Sequence, residues 1–276
     1  MKSYKEVILA AVKEEDIDLY VGLLSDLDYS GFEQEDETLK AYIEEAQFDP
    51  VALSALAKEF NFRFTIGALE EQNWNALWES NFTPVQVGDF VGLRADFHPA
   101  FGSQVQHELV ITPKMSFGTG HHATTHMMIQ QMQNLPLKGA CVLDFGTGTG
   151  VLALLAEKLG AKNILAIDND EWSIRNAQEN MEANHAAHID LQFASTPPAG
   201  QLFDIVLANI NRNVIVDNFA SIVHNLKQGG FLVLSGLLAE DAPPIVQLAE
   251  QHGLKHHNTL TRLNWISLLL SKRACN

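Results

Sequence analysis

The amino-acid sequence predicts an α/β protein in two parts. A small N-terminal α+β unit of ferredoxin-like order precedes a doubly wound, mostly parallel sheet that closes with an antiparallel hairpin. Three observations carry this reading. From Ile111 onward, strand-like and helix-like runs alternate, the pattern of a sheet covered by helices on both faces. Within that region "CVLDFGTGTG", Cys141 to Gly150, passes from a buried strand straight into a glycine loop. The first 70 residues instead read strand, helix, strand, strand, helix, strand.

In the N-terminal part, Tyr4 to Ala11 reads as a strand and Glu15 to Leu27 as an amphipathic helix. Short strands follow at Gly31 to Glu35 and Thr38 to Ile43. Pro50 opens a helix through Phe60, since proline is favoured in the first helical turn, and Arg63 to Leu69 is the last strand. Residues 71–110 read as a connector. In it, Trp74 and Trp78 stand at i, i+4 spacing, suited to packing against a domain. Residues 111–276 form the larger domain. After the strand ending at Asp144 comes a helix from Val151 to Leu159, stopped by Gly160. "NILAID" is the second strand, "EWSIRNAQENMEANH" the second helix, and "FDIVLANI" and "GGFLVLSGL" are further strands. "GLKHHNTLTRLNWISLLLSK" holds two strand-like runs split by polar residues, an antiparallel hairpin at the sheet edge.

Composition narrows the function. The chain is 276 residues long, 46% hydrophobic, with a net charge of -16. An acidic protein is poorly suited to hold nucleic acid directly, but it can attract a basic protein. Residues 1–70 carry 16 acidic and 6 basic side chains, so most of the negative charge is there. Cys141 and Cys275 lie far apart and suggest neither a disulfide framework nor a zinc motif. The six apolar residues from Val7 to Val12 are too few for a signal peptide or a membrane span. The expectation is a cytoplasmic protein.

Gly146, Gly148 and Gly150 fall where an open α/β sheet binds ligands, beyond the carboxyl ends of its strands. Without side chains they let a ligand touch the backbone. A triphosphate site would end in lysine and Ser/Thr; "GTGTGVLA" has neither. A dinucleotide site would read G-x-G-x-x-G, and the third glycine is displaced here. S-adenosylmethionine needs close backbone contact and no phosphate cradle. Asp168 ends the second strand, 20 residues beyond Gly148, and suits a carboxylate accepting from both ribose hydroxyls. It fits NAD and S-adenosylmethionine equally. The terminal hairpin favours the methyl donor by fold analogy.

Further segments sharpen the choice. "SFGTGHHATTHMM" (Ser116 to Met128), "DFGTGTGVLAL", "LANINRNVI" and, in the connector, "NWNALWESNF" together resemble the PrmA family, the methyltransferases of ribosomal protein L11. The resemblance runs the length of the chain. It implies a Rossmann-like class I methyltransferase domain, S-adenosylmethionine as methyl donor, and methylation of lysine side chains and the N-terminal amine of that ribosomal protein. It places donor contacts on Thr125, Gly146, Asp168 and Asn209, with Gly148 beside them in the loop. It also makes the N-terminal domain the part that captures the substrate. Where relatives read P-G-x-A before the F-G-T-G block, this chain has Pro113, Lys114, Met115 and Ser116.

Asn209 follows the strand "DIVLA", so its amide is expected at the carboxyl edge, beside the methyl group. It is the candidate catalytic residue, orienting a neutral amine. His121, His122 and His126 lack H-E-x-x-H spacing; no metal is expected, and they would line the donor pocket or brace it. Thr124 and Thr125 could cap the helix that begins there. Asp144 would brace the loop amides or face the donor's amino group. Asn169 and Asp170 would meet the adenine or cap the next helix. Two other functions fit less well: a methyltransferase for a different amine, and a non-catalytic S-adenosylmethionine-binding assembly module.

Overall fold

The computed structural model describes residues 4–10, 12, 17–25, 27–29, 31–35, 38–68, 83–112, 118 and 120–273. Trp74, Trp78, residues 113–117 with Ser116 and Phe117, and Cys275 lie outside the described residues. The chain divides into two compact units, Met1–Ala76 and Leu77–Asn276. No described helix is long and apolar enough to cross a membrane.

The first unit contains β1 (Tyr4–Ala10), α1 (Ile17–Ser25), β2 (Gly31–Glu35), β3 (Thr38–Glu44), α2 (Pro50–Phe60) and β4 (Phe64–Ala68). Its strands lie in the order β2-β3-β1-β4, with every neighbouring pair antiparallel. Alternation explains the layer. Val7 and Leu9 of β1 and Leu39, Ala41 and Ile43 of β3 share one face and are buried with Leu24 and Leu53 from the helices. Asp49 fixes the start of α2 by accepting from the Val51 and Ala52 amides at 2.8 and 3.1 Å. Asn61 stops the helix in the left-handed region, φ 54°.

The second unit opens with β5 (Val85–Val87), β6 (Val91–Arg94) and β7 (His107–Val110), a three-stranded sheet. Read from sequence, these residues belong to the connector. In the structure Val87, Phe90, Val91, Leu93, Leu109 and Ile111 are buried in the main core of this unit. Runs of three or four residues are too short to show an alternation, which is why they read as linker.

Then follow α3 (Ala123–Met132), β8 (Cys141–Phe145), α4 (Val151–Lys158), β9 (Asn163–Asp168), α5 (Glu171–Ala183), β10 (Ile189–Phe193), β11 (Phe203–Asn209), α6 (Arg212–His224), β12 (Leu226–Leu238), α7 (Ala242–Gln251), β13 (Leu254–Arg262) and β14 (Trp265–Lys272). The seven strands lie in the order β10-β9-β8-β11-β12-β14-β13. The first five are parallel. β14 joins β12 antiparallel and β13 completes the edge. Both faces of the sheet are covered, so its strands are near-continuous apolar runs. Val142, Ala166, Ile205 and Val233 face α3, α4 and α5; Leu143, Phe145, Val206 and Leu234 face α6 and α7. The strand order reverses between β8 and β11, and at such a point two loops part to leave a crevice.

Candidate functional site

The chain leaves β8 through three glycines with positive φ: Gly146 at 75°, Gly148 at 56° and Gly150 at 80°. A Cβ on Gly146 would collide with the Ile210 side chain. Glycine is therefore what lets this loop close against the end of β11.

Two carboxylates from adjacent strands hold the loop. Asp144 Oδ2 accepts from the Thr147 hydroxyl at 2.6 Å and the Ala153 amide at 3.2 Å. Asp168 accepts from the Gly148 amide at 2.9 Å through Oδ2 and from the Asp170 amide at 3.0 Å through Oδ1. Asp144 is therefore a brace. Its burial pushes the carboxyl up to about 7, against the pull of its two hydrogen bonds. Asp170 caps α5 through the Trp172 and Ser173 amides.

Above the switch point lies a cavity of about 470 Å³, a size that suits a small organic ligand. Asp168, Asn169, Ser173, Ala194 and Ser195 wall one end. Phe145, Gly146, Gly148, Asn209, Ile210, Asn211 and Val214 form the middle, and Gly236, Trp265 and His122 the other end. The strand order sets this succession: Asp168 ends β9, Gly146 follows β8, Asn209 ends β11, Gly236 lies in β12, and Trp265 starts β14 opposite Leu238.

Gly146, Gly148, Asp168 and Asn209 thus all line this one cavity. Thr125 does not line the cavity. It is fully buried behind Asn209, and its Oγ1 accepts from Asn209 Nδ2 at 3.3 Å. The other end of that amide, Asn209 Oδ1, is buried with no hydrogen-bond partner among the described residues. Helix α3 is capped by His122, whose Nδ1 accepts from the Thr124 amide at 3.3 Å and lies 2.7 Å from the Thr124 hydroxyl. Neither threonine is the cap. The His122 ring packs T-shaped on Trp265, centroids 4.8 Å apart. His121 Nε2 is 3.2 Å from the Thr83 hydroxyl. Burial lowers the pKa of His121, His122 and His126, and Arg262 adds to the effect at His126.

Sequence reasoning missed Trp265 and Gly236. Gly236 has φ 81° and sits where β12 shifts register against β14, between Ser235 and Leu237. A Cβ there would run into the Ile210 carbonyl. The signal was a glycine inside the apolar run "LVLSGLL", which marks a bulge or a close backbone approach.

Numbered within the large sheet, the strand order is 3-2-1-4-5-7-6. With a glycine loop at the switch point and an acid ending the neighbouring strand, this is a class I methyltransferase, the class that uses S-adenosylmethionine. The residues present suit that donor. The loop offers backbone rather than a phosphate nest, Asp168 and Asn209 both line the cavity, and the Asn209 Oδ1 is buried with no partner among the described residues. Residues 10–273 match the family of ribosomal protein L11 methyltransferases (PrmA), and the chain belongs to that family. It is 39% identical over 259 residues to the ribosomal protein L11 methyltransferase of Porphyromonas gingivalis, covering 91% of this chain and 89% of the relative. That of Chlorobaculum tepidum is 34% identical over 290 residues, covering 99% and 98%. A solved ribosomal protein L11 methylase from Lactobacillus delbrueckii subsp. bulgaricus superposes with a TM-score of 0.62 at 27% identity, covering 70% of this chain and 100% of that one.

Proposed function

We propose that this protein transfers methyl groups from S-adenosylmethionine to amino groups of ribosomal protein L11, at lysine side chains and the N-terminal amine, in the cytoplasm. The observation that carries the reading is Asn209 Oδ1, a buried acceptor at the cavity with no partner among the described residues. An amine N–H is the donor it lacks.

S-adenosylmethionine, when bound, supplies a methyl group already activated on a sulfonium. Gly146 and Gly148 would hold it by backbone contact, and Asp168 would accept from its ribose hydroxyls. The rest of the chemistry belongs to the acceptor. A free lysine has a pKa of about 10.4, so only a few molecules in ten thousand are neutral near pH 7. Phe145, Ile210, Val214 and Trp265 in the cavity wall desolvate an ammonium and favour its neutral form. His122 is held toward neutrality by burial, so it adds little like charge. Asn209 Oδ1 accepts from the amine and so aims its lone pair. The acidic N-terminal unit, 16 acidic against 6 basic residues over 1–70, suits capture of a basic ribosomal protein.

The test uses labelled S-adenosylmethionine with ribosomal proteins from cells lacking this enzyme. Label is expected in L11, on lysine and N-terminal amines. Label in a different species would move the substrate. Tight donor binding without any label would leave only a binding module and sink the reading.

A further inference from the structure

Helix α5 and its C-terminal cap carry asparagine at every fourth position, Asn176, Asn180 and Asn184, and so on one face. Asparagine is a poor helix former, and burying its amide is costly unless the amide is bonded. Asn184 bonds a single residue of β7, accepting from the Val110 amide at 2.9 Å and donating to the Val110 carbonyl at 2.6 Å. Its remaining bond is to the Asn180 carbonyl of its own helix. Asn180, fully buried, does something else. Its Oδ1 accepts from the Thr112 amide at 2.8 Å, and its Nδ2 donates to the Thr149 carbonyl, also at 2.8 Å. An inverted amide would set N–H against N–H and oxygen against oxygen, so its sense is fixed. One side chain thus joins the chain leaving β7 to the last peptide of the glycine loop. The other end of that peptide is held as well, because the Gly150 amide donates to the Thr147 carbonyl at 2.9 Å. Thr149 adds a second connection: its buried hydroxyl donates to the Gly118 carbonyl at 2.9 Å. The approach is close, since a Cβ on Gly118 would lie 2.6 Å from that hydroxyl.

We propose that Asn180, together with Thr149, is a positioning residue for the methyl donor: it fixes the plane of the Thr149–Gly150 peptide and so keeps the glycine loop in one arrangement. This rests on the reading that the donor lies on that loop. Neither side chain lines the cavity, whereas Gly148 does, so both act through the loop. The two carboxylates hold the loop earlier, Asp144 at the Thr147 hydroxyl and Asp168 at the Gly148 amide. They leave the peptide after Thr149 to Asn180. That peptide needs a clamp, because glycines at 148 and 150 give the backbone on either side of Thr149 unusual freedom. A loop free to turn there is competent to bind only part of the time, and the donor's apparent affinity falls by that fraction. Once the donor is bound the loop is in its competent form, so the loss appears in binding and not in turnover.

The asparagine ladder supplies its own control. Asn180→Ala removes the bonds to Thr112 and Thr149; Asn184→Ala removes a comparable pair from the same face without touching the loop. Both should lower the thermal midpoint. Only Asn180→Ala should weaken S-adenosylmethionine, about ten-fold by calorimetry well below that midpoint, with turnover at saturating donor within about two-fold of wild type. Thr149→Val deletes the hydroxyl at nearly constant volume and should weaken the donor about five-fold, and Thr149→Ser should restore it. Should Asn180→Ala not fold, the threonine pair decides alone. Wild-type donor affinity in Asn180→Ala and Thr149→Val overturns the proposal. An equal loss of donor affinity in Asn184→Ala also overturns it, because the ladder would then act only by docking β7. Asp168→Ala separates this inference from the reading beneath it. If that variant also binds the donor normally, the loop is not the donor's seat and both fail; if it weakens the donor while Asn180→Ala and Thr149→Val do not, this inference fails alone.

Discussion

Asn209 donates its side-chain N–H to Thr125, 84 residues earlier, at 3.3 Å. That bond sets the sense of the amide, with its nitrogen on Thr125 and its oxygen buried without a partner among the described residues. Thr125→Val keeps the volume but removes the acceptor, so the amide loses its fixed sense. We expect turnover to fall about ten-fold, with donor affinity within about two-fold of wild type, and Thr125→Ser to restore it. Asn209→Ala should cost about 100-fold in turnover while donor affinity changes far less. Single-turnover rates read beside calorimetric donor titration decide this. Equal losses in rate and donor affinity would reduce Asn209 to a binding residue.

Asp168 joins two tasks, since one oxygen holds the Gly148 amide and the other the Asp170 amide. Asp168→Ala releases the loop and removes the carboxylate from the rim. Donor affinity should drop about 100-fold, and turnover at saturating donor much less. Asp168→Asn can still accept one amide and should lose about ten-fold. Titration with S-adenosylmethionine would show it; a variant that binds normally but turns over slowly would contradict the assignment.

What was legible in the sequence follows from which signals are local. The glycine loop, Asp168 and Asn209 each sit at the end of an apolar strand, and strand ends on a parallel sheet share one edge. The meeting of the loop with Asp168 could therefore be inferred from order alone, whereas Asn209 was singled out through the resemblance and its strand then put it at the same edge. The hairpin was legible because a polar break splits two apolar runs. Helices α6 and α7 and strand β10 were not foreseen. β10 alternates weakly, "IDLQF", with Phe193 62% exposed at the sheet edge. α7 carries Pro243 and Pro244 in its first turn, residues that read as a loop unless the helix after them is recognised. Thr125 was legible as a site residue only through resemblance. Its bond to Asn209 spans the domain and leaves no local trace. Trp265 reaches the cavity because β14 runs antiparallel and so begins at the edge where the other strands end, a fact of topology that no spacing encodes.

Asp144 makes a prediction about pH. Its folded pKa is raised to about 7, whereas an unfolded carboxyl titrates near 3.9. Between those values the folded state holds a proton that the unfolded state has lost. Stability therefore rises as pH falls from above 7 toward about 4, by up to a few kcal/mol, and gains nothing further from this group below that. Above pH 7 the buried carboxylate is ionised and its full cost is present. Asp144→Asn keeps an acceptor for the Thr147 hydroxyl and the Ala153 amide and removes the charge. The variant should be more stable than wild type at pH 8 and close to it at pH 5. Thermal midpoints of both proteins across pH 5 to 8 test this, and parallel curves would refute it.

Gly236 and Gly229 both lie in β12 with positive φ, 81° and 76°, and they offer a matched comparison. A Cβ at Gly229 meets nothing within 4 Å, while one at Gly236 strikes the Ile210 backbone. Gly229→Ala should cost only the left-handed penalty, about 1–2 kcal/mol, and leave turnover intact. Gly236→Ala adds a collision that only backbone movement relieves. Ile210 is the residue next to Asn209, and its side chain already fills the space above Gly146. Pushing its backbone displaces the acceptor wall and the glycine loop together. We expect Gly236→Ala to lose more stability than Gly229→Ala and at least about 100-fold in kcat/KM, since displacements near 1 Å cost that much in a positioned reaction. Chemical denaturation and steady-state kinetics on the two variants check both halves. Equal activities would mean that the close approach of β12 to Ile210 shapes the fold without setting the geometry of the site.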